Sequence, residues 1–271
     1  MHRPLTVADL LPRGPHRRLG RHVLLFDRID STSSLLLSRA GELPDGTVAA
    51  AEFQSAGRGR HGRRWQAPHG AAILMSVLLH EPPETSLVQH AALAAAVAVA
   101  EAIEMVTECR PALRWPNDIT LAGRKVGGVL AESKPLPKSG GAGLPGRALV
   151  IGIGLNCLQQ PGHFLGELAG KATSIQIVST APVHRAPLAA AMLERLDGWV
   201  ATLARGPAGV SSLLAAWLAR CEDIGTRVRL RSDARDYEGT ILALTPEGDL
   251  LVELDRGGRR CFGPATTTRL W

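Results

Sequence analysis

Nine residues between Gly57 and Trp65 hold three glycines, four arginines and one tryptophan, in the order Gly57-Arg58-Gly59-Arg60-His61-Gly62-Arg63-Arg64-Trp65. Glycines let a backbone bend closely around a ligand, and guanidiniums take carboxylate or phosphate oxygens in bidentate fashion. Trp65 adds a flat face on which a base can stack. A ligand with an anionic and an aromatic part fits this set, and a sequence-tolerant RNA-binding patch is the plainer reading of the same residues. Four like charges in so short a span repel, which predicts an open loop that orders on an anion. The segment matches GxGxxG, but Arg63-Arg64-Trp65 runs on to Pro68 and Gly70. No helix can begin there to receive a pyrophosphate, so a dinucleotide fingerprint is excluded. No GxxxxGK[ST] phosphate loop occurs either.

Two further clusters carry chemistry. Trp115-Pro116-Asn117-Asp118 reads as an extended approach pinned by proline, followed by a turn closed by side-chain hydrogen bonds. Lys125 then opens the run Val126-Gly127-Gly128-Val129-Leu130-Ala131-Glu132. A lysine entering an apolar strand beside two glycines suits a negative charge approaching the backbone, although a lysine at a strand end can also simply reach for solvent. In Gly152-Ile153-Gly154-Leu155-Asn156 the alternate glycines leave space on one face of a strand, with an asparagine at its end.

These residues need a scaffold, and the pattern supplies one. Strands are expected at 22–26, 46–53, 71–79, 112–115, 119–121, 125–132 and 147–156, with Ser31 to Ser34 opening a short helix into Leu35-Leu36-Leu37. An Ala-rich helix is expected over 85–108. Leu188, Met192, Leu196, Trp199 and Leu203 lie at helical spacing over 186–204, and a second helix carries Leu213, Leu214, Trp217 and Leu218. From Asp223 onward the pattern turns to short strands at 226–230, 237–244, 250–254 and 259–262. The stretch 134–146, with three prolines and four glycines, reads as a mobile loop. The fold class is therefore α+β: a mixed-sheet domain over 22–222 after a basic extension at 1–21, and a small β-barrel over 223–271.

The 271 residues are enough for a substantial core. Of the net charge of +6, residues 1–28 supply six arginines against Asp9 and Asp27, and the Gly57–Trp65 loop supplies four arginines and no acid. That concentration suits an anionic substrate or partner. Lysine is scarce (Lys125, Lys134, Lys138 and Lys171), which makes Lys125 more conspicuous. The four cysteines form no CxxC pair and there is no HExxH, so neither a zinc site nor a disulfide framework is expected. Free thiols fit a reducing cytoplasm. No secretory signal or membrane span is expected.

Taken in order and spacing, Asp30-Ser31-Thr32, the segment from Glu52 to Trp65, Trp115 to Asp118, Lys125 to Glu132 and Gly152 to Asn156 resemble the biotin protein ligases over about residues 22–222. The β-rich end is similar to that family's SH3-like domain. The resemblance implies ATP-dependent activation of biotin to biotinyl-5′-AMP, then transfer to a lysine of a biotin carboxyl carrier domain. It implies a biotin site of Ser31, Thr32, Ser33, Gln54, Arg58, Gly59, Arg60, Lys125, Gly127 and Gly128. It implies an adenylate site of Arg58, Arg60, Arg63, Trp65, Asn117, Lys125 and Asn156, with Lys125, Arg58 and Asp118 as the catalytic set. Mg²⁺ is implied with ATP, and the sequence identifies no ligands for it. Ser33 stands where the family usually has asparagine, and Arg114 where lysine often precedes Trp-Pro-Asn-Asp.

Only 26 residues precede Asp27, fewer than a winged helix-turn-helix needs, so a monofunctional enzyme without operator binding is expected. Members of the family differ in dimerisation, which leaves a monomer and a homodimer both open. Three rivals stand beside this reading: a lipoate ligase or octanoyltransferase, a nucleic-acid-binding module, and a catalytically inactive biotin sensor. The first lacks the Gly/Arg/Trp segment. The second leaves the Ser-Thr, Asn-Asp and Lys-Gly-Gly elements without a use, and the third leaves Lys125 and Asp118 without one.

Overall fold

The computed structural model describes residues 3–11, 17–82, 86–136 and 146–270. Seven strands form the main sheet: β1 (Val23–Ile29), β2 (Val48–Gln54), β3 (Ala72–Glu81), β4 (Ala112–Arg114), β5 (Asp118–Leu121), β6 (Arg124–Pro135) and β7 (Arg147–Asn156). Their order is β1-β2-β3-β7-β6-β5-β4, with β1 and β2 parallel and every other pair antiparallel. The mixed sheet follows from the connections, because a helix links β1 to β2 whereas short turns link β4 to β5 and β5 to β6.

Strands β3 and β7 are almost continuously buried, which is why their sequences read as apolar runs rather than alternations. One face carries α3 (Ser86–Val106), which packs on the sheet and against α5 (Arg185–Leu203) and α6 (Pro207–Leu218), with the single turn α4 (Ile175–Val178) preceding α5 in the chain. Its alanines let helix and sheet approach closely. Although Leu87–Val106 is long and apolar enough to cross a membrane, most of it is enclosed in this core. On the opposite face α2 (Thr32–Ser38) sets Leu36 against Leu78, Ala148 and Val150. Ser31 caps α2 by accepting from the Ser34 amide at 3.3 Å.

Five strands form a second, antiparallel sheet: β8 (Arg227–Ser232), β9 (Arg235–Leu244), β10 (Leu250–Leu254), β11 (Arg259–Phe262) and β12 (Thr267–Arg269), in the order β11-β10-β9-β8-β12. Val228, Leu230, Ile241, Leu250, Val252 and Phe262 on this sheet belong to the same contiguous core as Leu213 and Trp217. The sheets thus fall on either side of Asp223 and share one interior. The loop expected at 134–146 begins later, since β6 runs to Pro135 and the Leu136 amide still bonds to the Gly146 carbonyl at 2.8 Å. Its centre, 137–145, lies outside the described residues.

The basic head is fastened to the molecule by its own charges. Within the head Arg3 pairs with Asp9 at 2.8 Å, and Arg17 reaches out to Glu194 at 2.7 Å. Arg18 reaches Asp45 at 2.6 Å and Glu81 at 2.7 Å. A single-turn helix, α1 (Val7–Leu10), follows Thr6. Beneath it lies a buried ion pair, Arg185 with Glu52 at 2.7 Å, and Glu52 also accepts the Leu5 amide at 2.7 Å.

Candidate active site

A cavity of about 830 Å³ opens between the main sheet, the Gly/Arg loop, residues 164–172 and the end of β12. Its lining includes Ser31, Thr32, Ser33, Gln54, Arg58, Gly59, Arg60, Arg63, Trp65, Asn117, Asp118, Lys125, Gly128 and Asn156. Of the residues placed in the biotin, adenylate and catalytic sets only Gly127 is missing. Successive strand residues face opposite ways, and a Cβ on Gly127 would meet Ile119, Leu155 and the Gly154 carbonyl. A side chain at Gly127 would therefore point away from the cavity, and only its main chain is open to a ligand.

At one end the cavity is lined by small polar groups. Thr32 Oγ1 and Ser33 Oγ lie 2.7 and 2.9 Å from Ser76 Oγ, and Gln54 Oε1 accepts from the Thr32 amide at 2.8 Å. All three hydroxyl-bearing residues are buried. Gly152 leaves room for this cluster, since a Cβ there would collide with Ser33 Oγ. Ser76 was not singled out from the sequence. Its signal was that it is the one polar residue in the apolar run from Ala71 to Leu79.

The other end is cationic and aromatic. Trp65 lies flat on Gly154, where any Cβ would strike its ring, and Lys125 Nζ sits 5.9 Å from the ring centroid. The indole Nε1 is buried with no hydrogen-bond partner among the described residues. Lys125 makes an ion pair with Asp118 across the β5–β6 turn. Its main chain is held by Lys171 and Thr173, with N–H to O distances of 2.8 Å on both sides. The Trp115–Pro116 peptide is cis, and the Asn117 side chain donates to the Val129 carbonyl, locking the turn onto β6.

The loop is not the open segment that charge repulsion suggests. It is a hairpin, with the Trp65 amide on the Gly57 carbonyl at 3.0 Å and the Gly59 amide on the Arg63 carbonyl at 2.8 Å. Repulsion is relieved because the guanidiniums go to separate acceptors. Arg58 pairs with Glu132 at 2.5 Å, and Arg64 donates to the Ser55 carbonyl. Arg60 donates to the carbonyls of Pro264 and Thr267 and, at 3.4 Å, to Asn117 Oδ1. Burial pushes the Arg60 guanidinium below its ordinary pKa, while Asp118 works in the opposite direction.

Asn117 and Asn156 also spend part of their amides internally. Asn156 donates to the Thr173 carbonyl at 3.0 Å and accepts from Gln159 at 2.7 Å. A primary amide carries two N–H groups, so each retains a donor for a ligand. Burial pushes the neighbouring Cys157 thiol up to about 12, which removes it as a nucleophile. Among the described residues no group of three His, Cys, Asp or Glu side chains could hold a metal ion. The cavity's own carboxylates are Asp118 and Glu167.

The sheet order and this cleft define an α+β domain with its cavity on one side of a mixed sheet, joined to a C-terminal β-sheet. The chain belongs to the biotin/lipoate A/B protein ligase family, whose model matches residues 25–156. It is 34% identical over 239 residues to the biotin–[acetyl-CoA-carboxylase] ligase of Mycobacterium tuberculosis, covering 84% of this chain and 81% of that protein. It is 30% identical over 249 residues to the bifunctional ligase/repressor BirA of Bacillus subtilis, covering 90% and 73% respectively. Among solved structures, the biotin protein ligase of Aquifex aeolicus in complex with biotin and ATP superposes with a TM-score of 0.73 at 25% identity, over 92% of this chain and all of that one.

Proposed function

We infer that this chain is an ATP-dependent biotin protein ligase that forms biotinyl-5′-AMP and passes the biotinyl group to a lysine of a biotin carboxyl carrier protein. One observation carries the reading: a single cavity joins the buried Thr32–Ser76–Ser33–Gln54 cluster to the Lys125–Asp118 pair and the Trp65 platform. The polar end suits the ureido ring of biotin. A lipoyl or octanoyl chain has no polar ring to meet this end, so it would bury apolar surface against hydroxyls and an amide. The family includes lipoate ligases, and this cluster is what favours biotin.

The chemistry follows from the charges. Biotin's carboxylate attacks the α-phosphorus of ATP, and the bond to pyrophosphate breaks. Two anions must meet, and charge then grows on the phosphoryl oxygens. Lys125 and the arginines of the loop supply fixed cations where that charge develops. Trp65 offers a surface for adenine, and Asn117 and Asn156 the donors for its edge. In the second step the amine of the carrier lysine attacks the acyl carbon and AMP departs. Asp118 stands beside Lys125, where it can orient that amine and receive its proton. Mg²⁺ would travel with the phosphates of ATP and keep most of its water, since Asp118 and Glu167 are the carboxylates that line the cavity and they form no metal-binding cluster. Four free thiols favour a reducing compartment such as the cytoplasm.

The Arg loop is the natural cover for a hydrolysable anhydride. Trypsin cleavage after Arg58, Arg60, Arg63 and Arg64 should slow by about tenfold or more once biotin and ATP are both present, as expected when ligands hold a folded hairpin closed against local opening. The same mixture with an apo carrier domain should place biotin on one carrier lysine. Equal cleavage with and without the two substrates, together with an unmodified carrier, contradicts the reading.

A further inference from the structure

Asp223 stands at the junction of the two sheets with its side chain 6% exposed, and the catalytic scheme above makes no use of it. One carboxylate oxygen pairs with Arg269 and the other lies 3.7 Å from Arg114. Arg269 ends β12 and lines the ligand cavity, as do its neighbours Thr268 and Leu270. Arg114 ends β4, one residue before the Trp115–Asp118 turn. The carboxylate therefore ties the last strand of the C-terminal sheet to the turn that carries Asn117 and Asp118. Its own main chain is fixed, since its carbonyl accepts from the Thr226 amide at 2.9 Å and hydroxyl at 2.7 Å. Beside it, the Leu113 amide bonds to the Arg220 carbonyl at 2.8 Å.

We propose that Asp223 is a positioning residue for the nucleotide half of the site, acting through Arg269; this rests on the ligase reading. Without the carboxylate, two guanidiniums would face each other in a partly buried space, and Arg269 would turn away from the cavity. With it, one side of Arg269 is occupied and the remaining N–H donors stay directed by a fixed partner. The effect spreads to the loop, because Arg60 is held by the carbonyls of Thr267 on β12 and of Pro264 just before it. The hydroxyl cluster belongs to the other end of the cavity.

The test is a double-mutant cycle on the full chain, using Asp223→Ala, Arg269→Ala and the pair, with Asp223→Glu as the conservative variant. Biotin-dependent exchange of pyrophosphate into ATP is measured with each substrate varied in turn, and ATP affinity is measured separately by calorimetry. Asp223→Ala should raise the KM for ATP about tenfold, the scale of one charged hydrogen bond, and leave the KM for biotin within about twofold. In the Arg269→Ala background it should add nothing, and Asp223→Glu should recover part of the loss. Additive effects in the cycle overturn the proposal. So does a fall in Tm with both KM values unchanged, or an equal rise in both. If the wild type shows no exchange, the ligase reading fails, and the ATP affinities alone decide whether Asp223 and Arg269 act as one unit.

Discussion

Lys125→Ala is expected to slow adenylation by about 10²–10³-fold, the usual cost of removing one charge-stabilising contact at a transition state. The ammonium group lines the same cavity as the hydroxyl cluster, paired with Asp118 and facing the indole ring. On the ligase reading this ammonium meets the carboxylate of one substrate and the α-phosphate of the other. The loss should appear in kcat, because the charge on the phosphoryl oxygens is largest in the transition state. Folding should be unaffected. The side chain is 32% exposed, and the bonds that hold this stretch to Lys171 and Thr173 belong to the main chain. Lys125→Arg keeps the charge but exchanges a compact ammonium for a planar fork, so it should recover only part of the rate. An unchanged rate of pyrophosphate release in Lys125→Ala would remove this residue from the mechanism.

Glu52→Ala acts on stability. Glu52 and Arg185 have side chains 5% and 2% exposed and meet at 2.7 Å, far from bulk water. Arg185 also donates to the carbonyls of Ala72 and Arg3, and Glu52 receives the Leu5 amide, so the pair joins β2, β3, α5 and the N-terminal head. Removing one partner strands a buried charge, which costs about 3–5 kcal/mol. In a chain of this size that corresponds to a fall in Tm of about 10 °C. Replacing both groups, as in Glu52→Leu with Arg185→Met, should restore most of the loss, because two apolar side chains leave no charge unpaired. A cost below about 1 kcal/mol for Glu52→Ala, the range of exposed ion pairs, would show that water reaches the pair.

Which parts of this architecture the sequence disclosed depends on the range of the interactions. The strands and long helices of the main sheet were legible because glycine and proline punctuate them and because apolar runs of strand length mark surfaces covered on both faces. The β8–β9 hairpin was read with too wide a gap. Its turn is Asp233-Ala234, both at positive φ, and that pair lacks the glycine by which such turns are usually recognised. Strand β12 is three residues long and pairs only with β8, too short for any alternation to show.

The site was legible as motifs, because its loop, turn and strand-end residues are chemically conspicuous and fall close together within each motif. The partners that hold them were not. Ser76 looks like an ordinary strand serine until Thr32 and Ser33 are packed against it. Glu52 and Arg185 are 133 positions apart, and Asp223 meets Arg269 across 46. The loop's charge was read correctly and its shape was not, because the acceptors that separate its arginines come from Glu132, Pro264 and Thr267.

On the ligase reading this cavity joins a biotin carboxylate to the α-phosphate of ATP. Exchange of labelled pyrophosphate into ATP measures that half-reaction without any acceptor protein, with biotin, lipoate and octanoate compared side by side. Exchange that requires biotin and is absent with the two chain acids is the expected result. Exchange with lipoate or octanoate in place of biotin, or with none of the three, would contradict the account and leave the Arg loop and the Lys125–Asp118 pair to serve another ligand.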